Sequence, residues 1–176
     1  MGDPKRLRRK YETPSSPWNL DRISREHKLV ETYGPKNRRE LWRATTIVKN
    51  VRRNVRIILS GKLHEEIGKQ IIDRLARYNI VEPNSTLDAL LVIKPEQILE
   101  RRLQTLVYRK GLARTIKQAR QLITHGFISV DGRKITSPGY LVTKEEENSI
   151  SYYKPIKIQI QSTEINEEKA QGENNG

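Results

Sequence analysis

The sequence predicts an α+β chain: a helical N-terminal region, then a small domain of two packed helices followed by a β-hairpin and short antiparallel strands. Three observations carry that expectation. Apolar residues recur at helical spacing through most of the first 125 positions, with interruptions at Gly34-Pro35, Gly61 and Gly111. The period then changes to alternation over Phe127–Val130. Asp131-Gly132 follows at once, a strong two-residue hairpin signal.

The elements follow in chain order. Residues 1–17 combine Lys, Arg, Pro and Ser with almost nothing apolar, and read as an arm that stays extended until it meets a partner. Asn19 is placed to cap a helix from Leu20 to Tyr33, which Gly34-Pro35 ends. Asn37 is placed to cap a longer helix, roughly 38–59, whose stripe is Leu41, Ala44, Val48, Val51, Val55, Ile58 and Leu59. Its other sides carry Arg38, Arg39, Arg43, Lys49, Arg52, Arg53 and Arg56, with Glu40 almost alone among them as an acid. At 1.5 Å rise per residue this is a basic rod roughly 30 Å long. A third helix, about 63–78, buries Leu63, Ile67, Ile71 and Leu75. Thr86 is the expected cap of a short helix through Leu91, and Pro95 opens another over 95–110, closed by Gly111.

Thr115 and Gln118 form a capping-box pair for the next helix, with Ile116, Ala119, Leu122 and Ile123 as its buried stripe. Gly126 stands where helices turn left-handed. After the hairpin, Pro138-Gly139 marks a turn, and Tyr140–Thr143, Ser149–Tyr153 and Ile156–Ile160 read as strands. The acidic, polar end from Thr163 has no core pattern and is expected to be disordered.

Composition bounds the function. No cysteine is present, which excludes disulfides, zinc ribbons, iron–sulfur clusters and thiol nucleophiles. No run approaches the roughly 18 apolar residues of a membrane span, and the basic N-terminus lacks the apolar stretch of a signal peptide. Arg6 occupies the position where a myristoylation signal has Ser or Thr. A cytoplasmic protein is expected. His64-Glu65-Glu66 has Gly68 where a zinc-protease motif has histidine, and Gly61-Lys62 lacks the rest of a phosphate loop. With no G-x-S-x-G either, no enzyme is expected, nor a cofactor, a metal or a small-molecule substrate.

The net charge of +13 is distributed unevenly. Residues 1–60 hold 16 basic against 6 acidic side chains, and residues 101–144 hold 10 against 1. Between them, residues 61–100 hold 5 against 7, and residues 145–176 hold 3 against 7. Two basic blocks of this density point to nucleic acid. A membrane partner would call for an amphipathic helix with Trp, Phe and Leu opposite its cations, whereas the helices here carry ordinary core stripes.

With the 95–110 stripe buried, Arg101, Arg102, Thr105, Tyr108 and Arg109 are expected off the core face. Lys117, Arg120, Gln121 and Thr124 are expected off it on the next helix, and Arg133 and Lys134 extend the surface along the hairpin. Arginine suits such a surface because its planar fork takes phosphate bidentately and its face stacks on bases. The helix start near Thr115 offers amides to phosphate. His125 has no local partner to orient it as a general base, and reads as a contact to phosphate or base. The arm adds Lys5, Arg6, Arg8, Arg9 and Lys10. A composite of helix faces, hairpin and arm fits irregular RNA better than a DNA groove, which a single inserted helix would read.

The stretch ERRLQTLVYRKGLARTIKQARQLITHGFISVDGRKITSPGYLV resembles the small RNA-binding domain of the small ribosomal subunit protein four family. That domain also occurs in some pseudouridine synthases, tyrosyl-tRNA synthetases and stress proteins. GDPKRLRRKYETPSSPWNLDRI and the helical segment after it resemble the archaeal and eukaryotic form of the ribosomal protein, so the resemblance spans roughly residues 2–153. It implies a primary binder of small-subunit ribosomal RNA that helps nucleate the subunit body, touches neighbouring ribosomal proteins and influences decoding accuracy. By position it implies an RNA surface including Arg102, Thr115, Lys117, Gln118, Arg120, Gln121, His125, Gly126 and Lys134. Phe127 departs from the second histidine of many relatives, and the N-terminal cysteine cluster of some bacterial members is absent.

The chain then divides into a basic extended arm (1–17), a helical RNA-binding region (18–100), a small α+β RNA-binding domain (101–161) and an acidic tail (162–176). A ribosome-associated stress-type protein, an RNA-modifying factor and a DNA-binding protein are the rival readings.

Overall fold

In the computed structural model of the chain, the described residues are 9–61 and 64–154. Helix α1 runs Leu20–Tyr33; the Asn19 side chain accepts from the Arg22 amide at 3.0 Å. Gly34 ends α1 with φ +54°, a left-handed conformation that an L side chain adopts only at a cost. Helix α2 spans Arg38–Leu59 and turns Leu41, Ala44, Val48, Val55 and Ile58 inward. Asn37 precedes it in extended conformation, but its side chain makes no capping bond, contrary to expectation. Helix α3 covers Glu65–Arg77, and α4 is a single turn, Ala89–Val92. Thr86 lies in the turn before α4 rather than at its cap, which is Asp88. α2 is the central element of this first core, with α1, α3, α4 and α5 (Pro95–Glu100) packed against it.

The expected single helix over 95–110 is two helices. After α5, Arg102 takes extended backbone angles (φ −75°, ψ 141°), and α6 begins at Leu103 and ends at Arg109. Neither glycine nor proline causes the break. Arg102 pairs with Leu141 in an isolated antiparallel bridge, the Leu103 amide donates to the Tyr140 carbonyl at 2.8 Å, and the Val142 amide donates to the Arg101 carbonyl at 3.0 Å. The returning segment therefore supplies hydrogen bonds that replace those of a continuous helix. That bridge is also all that forms of the strand expected over 140–143. Thr105 Oγ1 donates back to the Leu99 carbonyl at 2.8 Å, satisfying a carbonyl at the end of α5.

Helix α7, Ile116–Thr124, packs on α6 by Ala119, Leu122 and Ile123. Thr115 accepts from the Gln118 amide at 3.1 Å, as the capping box requires, but the Gln118 side chain accepts from Arg114 N (2.7 Å) instead of from the cap residue. Strand β1 (Ile128–Val130) pairs antiparallel with β2 (Arg133–Lys134) on one side and β3 (Ser151–Tyr152) on the other. Asp131 (φ +50°) and Gly132 (φ +72°) are both left-handed, the geometry of a tight hairpin that follows strand twist. Leu103, Val107, Ile123, Ile128 and Val142 form the centre of this second core. The strand expected over 156–160 and the tail lie outside the described residues.

The near end of the arm is held against the helices. Tyr11 packs on Trp42 with ring centroids 6.1 Å apart, and the Glu12 amide donates to Thr46 Oγ1 at 2.9 Å. Arg22 donates to the carbonyl of Pro17 at 2.7 Å and forms a salt bridge with Glu26 at 2.6 Å, while Trp42 Nε1 donates to Glu26 at 3.0 Å. Residues 9–17 are thus docked along α1 and α2, where the sequence suggested an arm without internal partners. Lys5, Arg6 and Arg8 fall outside the described residues; Arg9 and Lys10 are exposed.

Candidate nucleic-acid interface

Helix α7 presents its polar residues on the side away from the stripe that packs on α6. Lys117, Gln121, Thr124 and His125 are exposed, and Thr115 is exposed at the cap. His125 ends the helix, its ring tilted against Phe127 at 6.5 Å between centroids. Gly126, buried with φ +75°, leaves open the space into which the Lys134 side chain folds, so the hairpin cation lies beside the His125 end of α7. Arg133 is exposed next to it. On the other flank, an open groove of about 520 Å³ runs between α7 and the end of α1. Lys117, Arg120, Gln121 and Thr124 line one wall; Val30, Pro35 and Lys36 line the other. Lys36 and the exposed Arg114 were missed in the sequence because neither sits on a helix stripe.

Five of the expected site residues, Arg101, Arg102, Arg109, Gln118 and Arg120, have internal partners. Arg101 and Arg102 are 7% and 6% exposed, and Thr105 is buried with them, so the expectation that these three lie off the core is corrected. The helix break rotates them inward. Arg101 bridges to Glu147 at 2.7 Å and donates to the carbonyls of Val142 and Thr143. Arg102 and Arg120 converge on Glu40 of α2: Arg102 donates to one carboxylate oxygen, and Arg120 reaches the other at 2.8 Å. Arg109 pairs with Glu100 at 3.0 Å with both side chains exposed, an arrangement worth little in water. The side chain of Gln118 is engaged with Arg114 N as described.

Burial alone would raise the Glu40 carboxyl. The hydrogen bonds and charges of Arg120 and Arg102 outweigh it and hold the group below the ordinary carboxylate value. Gln104, 1% exposed, completes this hub. Its amide nitrogen donates to the Gly34 carbonyl (2.9 Å) and the Ile116 carbonyl (3.2 Å), and its oxygen accepts from Arg120 at 3.2 Å. Glu40 and Gly34 belong to the helical region; Arg102, Gln104, Ile116 and Arg120 belong to the second core. The hub therefore fixes the angle at which the α7 face meets the basic side of α2, where Arg39, Arg43, Lys49, Arg53 and Arg56 are exposed.

Among the described residues, no group of three or more His, Cys, Asp or Glu is placed to hold a metal ion, and no helix is long and apolar enough to cross a membrane.

Comparison with known proteins bears on the fold and the family. The family described as S4 domain matches residues 101–148, the segment from the helix break to the turn before β3. Small ribosomal subunit protein uS4 of Methanothermobacter thermautotrophicus is 46% identical over 169 residues, covering 93% of this chain and 98% of the relative. The protein of that name from Methanosphaera stadtmanae is 42% identical over 177 residues, 98% of this chain and 97% of the relative. That from Methanococcus vannielii is 52% identical over 156 residues, 86% and 87% of the two chains.

Proposed function

Because the chain belongs to the uS4 family of small ribosomal subunit proteins, we propose that it is a structural, non-catalytic component of the small subunit that binds ribosomal RNA through the α7 face. The observation that carries the reading is the alignment of Lys117, Gln121 and His125 on one exposed face, extended by Arg133 and Lys134 on the hairpin and by Lys36 across the groove. Cations there hold backbone phosphates, while Gln121 and His125 supply directional bonds and a ring to unpaired bases. Thr115, Gln118 and Gly126 shape the helix ends, and Arg109 adds charge at the margin. Arg101 serves to hold the returning segment. Lys5, Arg6, Arg8, Arg9 and Lys10 of the arm add positive charge for the same RNA. The protein joins the subunit body early, contacts neighbouring ribosomal proteins and works in the cytoplasm as part of the ribosome.

The test is binding of the full chain to a small-subunit ribosomal RNA transcript across a salt series, with duplex DNA as competitor. Lys117→Ala is expected to weaken RNA binding and lower the log–log salt slope by about one unit, and His125→Ala to weaken it with little change in slope. Equal affinity for duplex DNA, or indifference to both substitutions, would remove the α7 face from the function. One copy per small subunit surviving a moderate-salt wash separates the ribosomal component from a transient visitor.

A further inference from the structure

A groove of about 390 Å³ runs along α7, lined by Gln118, Gln121, Leu122, His125 and Phe127. Leu122 and Phe127 give it an apolar floor, and its lining brings no acid. Around it, Lys117 on α7 and Arg133 and Lys134 on the hairpin are exposed and have no ionic partner among the described residues. The chain itself returns to one end of this groove. The Tyr153 amide donates to the Phe127 carbonyl at 2.8 Å, and Phe127 stands beside the His125 ring. Lys154, the next residue, is the last one described. A further 22 residues follow it, with Glu164, Glu167, Glu168 and Glu173 against Lys157 and Lys169. Before those acids, Ile156, Ile158 and Ile160 alternate with Lys157 and Gln159, a spacing that puts the isoleucines on one side of an extended chain. From His125 back to Gln118 is about 10 Å along the helix. The ten residues from Lys154 to Glu164 span up to about 33 Å when extended, which brings the acids within range of Lys117 and the hairpin.

We propose that this groove is the docking surface of the chain's own acidic tail, which occupies it until RNA displaces it. The isoleucines cover Leu122 and Phe127, while Glu164, Glu167 and Glu168 neutralise Lys117, Arg133 and Lys134. Tethering at Tyr153 holds the tail at an effective concentration on the order of millimolar, so weak pairing is enough for occupancy. Surface ion pairs are individually weak and screened by salt, so an RNA that engages several cations at once displaces the tail. Displacement rests on the RNA-binding reading and adds regulation to it. The basic face is covered in the free protein and opens to a ligand of higher charge.

The chain has no cysteine, so Asn166→Cys in the full-length protein accepts a single nitroxide label between Glu164 and Glu167. At low salt and without RNA, the label is expected to broaden the amide resonances of Lys117, Gln121 and His125. Potassium chloride at about 0.5 M, where the Debye length falls to a few ångströms, should restore them. Glu164→Gln, Glu167→Gln and Glu168→Gln made together should abolish the broadening and keep the wild-type melting temperature. The same variant should bind the ribosomal RNA transcript several-fold more tightly at low salt, with a steeper salt slope. Tighter binding without broadening in the labelled chain would mean long-range repulsion alone, and broadening without tighter binding would mean a tail that does not compete; either overturns the proposal. Broadening of an isotope-labelled copy by the nitroxide of a second copy would give the groove to another molecule's tail, and overturn it too. A wild type that does not bind the transcript would sink the RNA reading and the displacement with it, whereas a wild type that binds but shows no broadening sinks the tail docking alone.

Discussion

Glu40→Gln keeps the shape of the side chain and removes the charge on which the hub depends. In the wild type the carboxylate receives Arg102 on one oxygen and Arg120 on both, at 2.8 and 3.2 Å. An amide offers one acceptor and presents two donors to those guanidinium groups, so at least one arginine loses its partner. Hydrogen bonds to charged groups contribute about 1.5–3 kcal/mol each, and leaving a buried donor unpaired costs about 1–3 kcal/mol. Glu40 and Arg120 are 24% and 22% exposed in their side chains and Arg102 7%, so partial solvation discounts the sum. The expected loss is on the order of 3 kcal/mol, a fall in Tm of roughly 6–12 °C for a chain of this size. Chemical denaturation with a calorimetric scan measures it. The pH dependence adds a second check. Because the folded-state pKa is depressed, the Glu40 contribution is present above the unfolded value near 4.5 and is lost as pH falls through the folded value. The gap between wild type and variant should therefore be full at neutral pH and close in acid. A loss under about 0.5 kcal/mol, the range of ordinary surface substitutions, or a gap unchanged in acid would refute the reasoning.

Three further outcomes are expected. Gln104→Leu leaves the carbonyls of Gly34 and Ile116 and one Arg120 donor without their partner, and should cost about 2–4 kcal/mol by denaturant titration, although leucine is similar in size. Gly126→Ala puts a Cβ at φ +75° against the Lys134 side chain and should cost about 1–2 kcal/mol; equal stability would show that the helix end relaxes freely. The hydrogen bond to Glu146 (2.6 Å), with burial added, pushes the Tyr140 hydroxyl up to about 12. An ultraviolet pH titration should show a tyrosine that ionises near there, and Tyr140→Phe should remove that late step.

Much of the helical architecture is legible in the residues because its causes are local. Asn19 and Gly34 bracket α1, the Leu41–Ile58 stripe defines α2, and Thr115 with Gly126 brackets α7; each rests on a cap, a turn or a period within a few positions. The break at Arg102 is not legible, since it is imposed by a segment some 40 residues later that bridges at Leu141. The same distance hides the hub. Glu40 reads in the sequence as the stray acid of a basic helix, and Gln104 as one polar residue in an apolar run; only folding brings them to Arg102 and Arg120. Exposure of Lys117, Gln121 and His125 was readable from the stripe opposite them, whereas the inward rotation of Arg101 and Arg102 followed from the unforeseen break.

The two hydrophobic cores meet across a seam that carries ionic and amide bonds beside the apolar contact of Leu141 with the first core, and that sets how the molecule should respond to acid. Apolar packing is largely indifferent to protons, but the Glu40 bridge is not. Acid strong enough to protonate Glu40, below the ordinary carboxylate range, should therefore loosen the joint. At neutral pH the joint is closed, so the angle between α2 and α7 is set before any partner binds.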